Sequence, residues 1–202
     1  MTRTAYGNMH THIRHGEGMP ELVSVPILSG VGFESWEFHP WRLPESLPPD
    51  LSCSLSSAAA LGEVGLDVLR GPDLKCQMRC LETLLNAAEQ CRKPVLFHCV
   101  RAFPELLRLT SQLTVPKLMH NFRGGVRLLE TLREQNWLIS FRRLEHQDVI
   151  ASLRRDGLSG IGFETDDDPN IDIGEVVQTA ERQLDMAAGI AGMNTFREFL
   201  GL

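Results

Sequence analysis

No run of this chain approaches the roughly 18 consecutive apolar residues of a membrane-crossing helix, so a transmembrane reading is set aside. The first residues, Met1 to Asn8, lack the apolar core of a secretory leader, which predicts no signal peptide. Cysteine is scarce and odd in number, at five. Without a leader, that predicts reduced thiols in the cytoplasm. Cys76 and Cys80 stand one helical turn apart rather than at the spacing of a zinc hook, and read as helix packing residues. An excess of positive charge is also missing. Lys and Arg total 20 against 26 Asp and Glu, a net charge of -6. Proteins that coat nucleic acid draw most of their affinity from neutralising phosphates, so this balance argues against a stable DNA binder. It leaves room for an enzyme that grips one phosphate through metal ions and a few arginines. There is no internal repeat and no low-complexity tract. A chain of 202 residues suffices for one sizeable core, and a single domain over 1–202 is expected.

What is present, from Leu61 onward, is alternation. Apolar runs the size of buried strands occur at 61–66, 94–98, 116–120, 137–141 and 160–163. Between and after them lie stretches with helical periodicity at 74–92, 102–113, 125–135, 147–155 and 173–190. Strand and helix in strict succession predict a parallel α/β sheet. The first third is less regular: 14–36 carries glycines and prolines among short apolar runs, and 40–52 is rich in proline.

Several runs end in a residue that can bind metal. His10 and His12 follow Asn8-Met9. Glu63 lies within Leu61-Gly62-Glu63-Val64-Gly65-Leu66-Asp67. His98 ends Val95-Leu96-Phe97, His120 follows Leu118-Met119, and Asp166 follows Gly162-Phe163-Glu164-Thr165. Taken singly, His98 and His120 read first as core histidines, and Glu63 has the alternative of a carboxylate paired with an arginine. Together they form a pattern. Parallel strands pointing one way carry such groups to a common end, and imidazoles with carboxylates gathered there make a site for a divalent cation. An open sheet collects ligands at one switch point from few strands. Five strand ends, spread from residue 10 to 166, favour instead a TIM-type (β/α) barrel. The chain is short for that fold, so the barrel is expected to be shortened or incomplete near the N-terminus. Two further residues stand at strand ends. His39, before Pro40-Trp41, either touches substrate or caps the mouth. Arg123, before two glycines, either holds a phosphate or is an exposed helix-start arginine. His15, His146, Arg142-Arg143 and Arg154-Arg155 read as solvated surface.

These motifs resemble the TatD family of metal-dependent deoxyribonucleases, within the amidohydrolase-like barrels. The resemblance rests on Met9-His10-Thr11-His12, Glu34 to Trp41 with His39-Pro40, Gly62-Glu63-Val64-Gly65-Leu66-Asp67, Phe97-His98, Met119-His120-Asn121-Phe122-Arg123-Gly124 and Glu164-Thr165-Asp166. The closing stretch from Asn194-Thr195-Phe196 to Leu200-Gly201 resembles the family's last helix. The motifs follow the family's order over nearly the whole chain. The chain differs in being short before His39, in lacking a longer loop after Asp166, and in having Arg123 where a small residue is usual.

The resemblance implies two adjacent divalent ions, Mg²⁺ or Zn²⁺ with Mn²⁺ as a further candidate. His10, His12 and Asp166 would hold one, His98 and His120 the other, and Glu63 would bridge. It implies hydrolysis of phosphodiesters, with DNA as a transient partner and Asp166 and Glu63 as the catalytic carboxylates. Asp67 and Glu164 are candidates to orient the ligands. Three readings compete: the deoxyribonuclease, a hydrolase of a small phosphoester, amide or lactone on the same barrel, and a non-catalytic metal-binding protein. A carboxylated lysine would mark the amide-cleaving relatives, but His98 ends its strand, and Lys93 precedes it.

Overall fold

A computed structural model describes residues 6–15 and 19–202. Residues 1–5, part of the segment read for a leader, and 16–18, with Gly16 and Gly18, lie outside the described residues. The strands are β1 (Asn8–Thr11), β2 (Glu21–Val25), β3 (Phe33–Phe38), β4 (Ala60–Asp67), β5 (Val95–Val100), β6 (Lys117–Met119), β7 (Trp137–Phe141) and β8 (Ile161–Phe163). The helices are α1 (Leu51–Ser56), α2 (Leu74–Cys91), α3 (Phe103–Leu109), α4 (Val126–Glu134), α5 (Gln147–Asp156), α6 (Ile173–Leu184) and α7 (Ala188–Leu200), with a 3₁₀ turn at Pro40–Arg42. Strands neighbour one another in chain order, and the fold is the expected TIM-type (β/α) barrel, with eight strands. The shortening falls on helices. Among the described residues none lies between β1 and β2 or between β2 and β3, and only the 3₁₀ turn and the six-residue α1 precede β4. No described helix is long and apolar enough to cross a membrane.

The chain divides into two compact units, Met1–Val23 with Leu118–Leu202, and Ser24–Lys117. In the first, β1 pairs in parallel with β2 and with β8, and β8 pairs with β7. Helices α4 to α7 pack against these strands and one another. The core holds Met9, Ile139, Ile161, Phe163, Leu153, Val177, Phe196 and Phe199. The long periodic stretch 173–190 is two helices rather than one. Asp185 takes the left-handed conformation at φ 54° and ends α6, and α7 starts afresh at Ala188.

In the second unit β3, β4 and β5 pair in parallel, with α2 against β4, α1 against α2, and α3 against β5. Leu61, Val64, Leu66, Leu81, Leu84, Ala88, Val95 and Phe97 form its core. Asp73 caps α2 by accepting from the Cys76 N–H. One buried residue of α2 is polar. Gln77 accepts from the Asp67 N–H at 2.7 Å and donates to the carbonyls of Asp67, Arg70 and Pro72. It thereby ties down the turn that leaves β4.

Candidate metal centre

Two strands carry an extra residue where the donors are needed. In β1, Asn8 pairs with Glu21 and Thr11 with Val23, three steps against two. In β4, Leu61 pairs with Val95 and Val64 with Phe97, and β3 meets the same segment as Trp36 with Leu61 and Phe38 with Val64. These are β-bulges, which break side-chain alternation and re-aim a residue. His10 lies inside the first and Glu63 inside the second. Gly62 and Gly65 make the second possible. A Cβ at Gly62 would stand 2.6 Å from Leu96 Cβ and O, and one at Gly65 would stand 1.8 Å from the His98 carbonyl oxygen.

The first unit gathers His10, His12, His120 and Asp166. His10 is fully buried, and its ring stands 4.7 Å from that of His12 and 4.8 Å from that of His120. Asp166 Oδ1 lies 3.6 Å from His10 Nε2 and 4.0 Å from His12 Nε2. Both separations are too long for a hydrogen bond. They suit donors that share a cation, since ligands about 2.0–2.1 Å from a tetrahedral ion sit roughly 3.3 Å apart. The backbone fixes this geometry: the Asp166 N–H donates to the His10 carbonyl at 3.1 Å, and the His12 N–H donates to the Asp166 carbonyl at 3.2 Å. Asn121 Nδ2 donates to Asp166 Oδ2 at 2.9 Å, leaving Oδ1 directed at the imidazoles. Glu164 lies 3.2 Å from His120 Nδ1 and also accepts from the Ser140 hydroxyl.

The second unit gathers His39, Glu63, His98 and Asp67. Glu63 Oε1 lies 2.7 Å from His98 Nδ1 and 3.2 Å from His39 Nε2. His98 Nε2 lies 3.3 Å from Asp67 Oδ2. With a cation held between Nδ1 and Glu63, the single N–H of a neutral His98 would stand on Nε2, where Asp67 accepts it. His39 differs. Its Nδ1 accepts from the Trp41 N–H at 3.2 Å, so in the neutral ring the proton is on Nε2, which donates to Glu63. His39 is therefore a hydrogen-bonding support for Glu63 in this arrangement, a contact the sequence did not reveal. Burial acts to raise the pKa of Asp67. Hydrogen bonds from the Trp41 indole, the Leu69 N–H and His98 outweigh it and hold Asp67 below the usual carboxylate value.

The donor sets in both units fit divalent cations: His10, His12 and Asp166 in one, with His120, Glu164 and Asp166 beside them, and Glu63 and His98 in the other, with His39 bonded to Glu63. His98 and His120, expected to share an ion, fall in different units: His120 stands with His10, and His98 with Glu63. Buried carboxylates such as Glu63 and Glu164 are costly unless paired or metal-bound, and each is paired here with an imidazole.

A family model described as TatD related DNase matches residues 26–186 of this sequence. The chain belongs to the TatD-related DNase family. TatD proteins are metal-dependent hydrolases, which is the chemistry these donor sets can support. Among solved structures, the TatD homolog YJJV from Escherichia coli K12 is 17% identical, with a TM-score of 0.76 over 98% of each chain. A TatD family hydrolase from Entamoeba histolytica is 12% identical, with a TM-score of 0.72 over 96% of each chain. At these identities the likeness establishes the fold. No curated protein matches the chain.

Other expected site residues of this TatD-family chain are placed differently from one another. Arg123 is exposed, and its Nε reaches Asn121 Oδ1 at 3.5 Å. Arg142, read as solvated surface, is largely buried and donates to Asp168 Oδ2 at 2.6 Å. The run Asp166-Asp167-Asp168 thus divides its work: the first faces the histidines and the third holds Arg142. His15 is exposed, as read, and also meets Glu21 at 2.8 Å.

The Asp67–His98 contact makes a testable claim. Asp67→Asn removes the charge that faces His98 Nε2. Divalent-metal affinity, measured by calorimetric titration, is expected to fall about 10- to 100-fold. Unchanged affinity would remove Asp67 from this role.

Proposed function

We propose that this TatD-family protein is a phosphodiesterase, with DNA as its substrate and two divalent cations as its cofactors. The observation that carries this reading is the donor spacing around Asp166, 3.6 and 4.0 Å from two imidazoles, of which His10 is fully buried. His10, His12 and Asp166, with His120 beside them, would hold one cation, and Glu63 and His98 would hold the other. Bound there, Mg²⁺, Zn²⁺ or Mn²⁺ would polarise the phosphoryl group and bring the pKa of a water towards neutrality.

The remaining roles belong to side chains of the chain itself. Asp166 accepts the proton of the attacking water on its carboxylate, which Asn121 keeps oriented. Asp67 and Glu164 fix the ring orientations of His98 and His120. His39 donates to Glu63 and holds its Oε1 in place. Arg123, exposed on the loop after β6, is assigned to a substrate phosphate. Five free cysteines support a reducing, cytoplasmic site of action.

A phosphoester smaller than DNA is the second reading. It is favoured by Arg142, whose guanidinium is taken up by Asp168 rather than offered to a nucleic-acid backbone. The experiment uses metal-stripped protein with Mg²⁺, Mn²⁺ or Zn²⁺ restored, assayed on a nitrophenyl phosphodiester and an end-labelled DNA oligonucleotide. Metal-dependent cleavage of the oligonucleotide is expected. Cleavage of the small ester alone would establish the second reading, and cleavage of neither would overturn both.

A further inference from the structure

Trp41 is 39% exposed, whereas Trp36 and Trp137 are buried at 9% and 2%. Its mount is rigid. The indole Nε1 donates to Asp67 Oδ2 at 2.5 Å, and the ring centroid lies 4.5 Å from that of His39 and 5.6 Å from that of His98. The Arg70 guanidinium stands 4.4 Å from the ring centroid, over its face. Asp67 Oδ1 meanwhile accepts from the N–H groups of Leu69, at 2.7 Å, and Arg70, at 3.2 Å. One buried carboxylate therefore holds His98, Trp41 and the 68–70 turn together. Val68 and Leu69, 50% and 58% exposed, extend the apolar surface along that turn. Exposed apolar groups clustered beside charged ones commonly mark a contact surface.

We propose that Trp41 and Arg70 form a stacking subsite that selects phosphoesters carrying a nucleobase next to the scissile bond. This rests on the phosphodiesterase reading above. Every base has a π-face, so an indole held beside the hydrolytic residues binds nucleotides without reading their sequence. The guanidinium over the ring adds a positive charge that suits the flanking phosphate. The arrangement explains why an acidic chain can favour nucleotides: recognition comes from stacking and one local cation rather than from net charge.

The test compares two esters with one leaving group, thymidine 5′-nitrophenyl phosphate and methyl nitrophenyl phosphate, using the metal-loaded protein. Trp41→Leu is expected to raise KM for the thymidine ester about tenfold. Leu and Phe alike lack the indole N–H that Asp67 accepts, so any change common to both esters is read from the methyl ester, and the tenfold rise is measured relative to it. Trp41→Phe, which keeps a stacking ring, should recover most of the loss. Equal effects on both esters, or a fall in kcat alone, would mean that Trp41 acts only by holding Asp67 and would overturn the subsite.

A second arm needs no turnover. Because the other two tryptophans are buried, fluorescence quenching by added thymidine monophosphate reports Trp41. Saturable quenching by the nucleotide and not by inorganic phosphate, lost in Trp41→Phe, is expected, and its absence would overturn the subsite. If neither ester is hydrolysed, the hydrolytic reading falls while this arm still decides the subsite. Tighter quenching by oligothymidylate than by the monophosphate would identify a DNA strand, and equal quenching a mononucleotide ester; either supports the subsite.

Discussion

Replacing Glu63 by alanine is expected to lower metal-dependent phosphodiester hydrolysis by at least about 10³-fold, with the chain still folded by circular dichroism. Glu63 is 2% exposed, and its Oε1 serves both His98 and His39. Its removal deletes a cation donor and leaves the His39 Nε2 proton and the His98 ring without their common partner. Glu63→Gln separates these effects. The amide keeps the volume and can still accept from His39, yet it lacks the charge that draws a divalent ion. Both variants should lose metal affinity and turnover together. Turnover near wild type in either would remove Glu63 from the centre.

Gly65→Ala is expected to have the largest effect on stability. The added Cβ would sit 1.8 Å from the carbonyl oxygen, 2.8 Å from the carbonyl carbon and 3.0 Å from the nitrogen of His98. All three are backbone atoms, so no rotamer change relieves the clash. The φ of Gly65, 152°, is also one that L side chains rarely adopt. The β4–β5 pairing of Gly65 with His98 must open, moving His98 away from Glu63 and Asp67. A loss on the order of 3–5 kcal/mol in urea-induced unfolding is expected, with loss of metal binding. Gly157→Ala is the comparison. Gly157 also has positive φ, 82°, but a Cβ there meets nothing within 4 Å. Its cost should be near 1 kcal/mol. Equal costs at the two sites would show that the close approach at Gly65 is not what requires glycine.

The periodic part of the chain was legible because its elements bury one face. The 61–66, 94–98 and 137–141 runs became β4, β5 and β7, and the stretches from Leu74, Gly125 and Gln147 became α2, α4 and α5. The motifs carried the family, and the structure brings His10 to His12, His120 and Asp166, and His98 to Glu63. What stayed hidden depends on partners distant in sequence. Only strand pairing shows that His10 and Glu63 sit in bulges. The periodicity of α2 gave no reason to pick out Gln77, whose role appears only with the turn it holds. Arg142 could not be told from Arg143 until Asp168 came within 2.6 Å. The break at Asp185 interrupts an apolar stripe that continues on both sides, so the stretch from 173 to 190 read as one helix.

Hydrolysis through two divalent cations held by these side chains requires both to be bound. The most direct measurement titrates metal-stripped protein with Mn²⁺ while following bound metal and phosphodiester turnover in the same samples. Two bound equivalents per chain are expected, with full turnover only as the second is taken up, and neither in Glu63→Ala. Undiminished turnover in the stripped protein, or full turnover at one equivalent, would contradict that requirement.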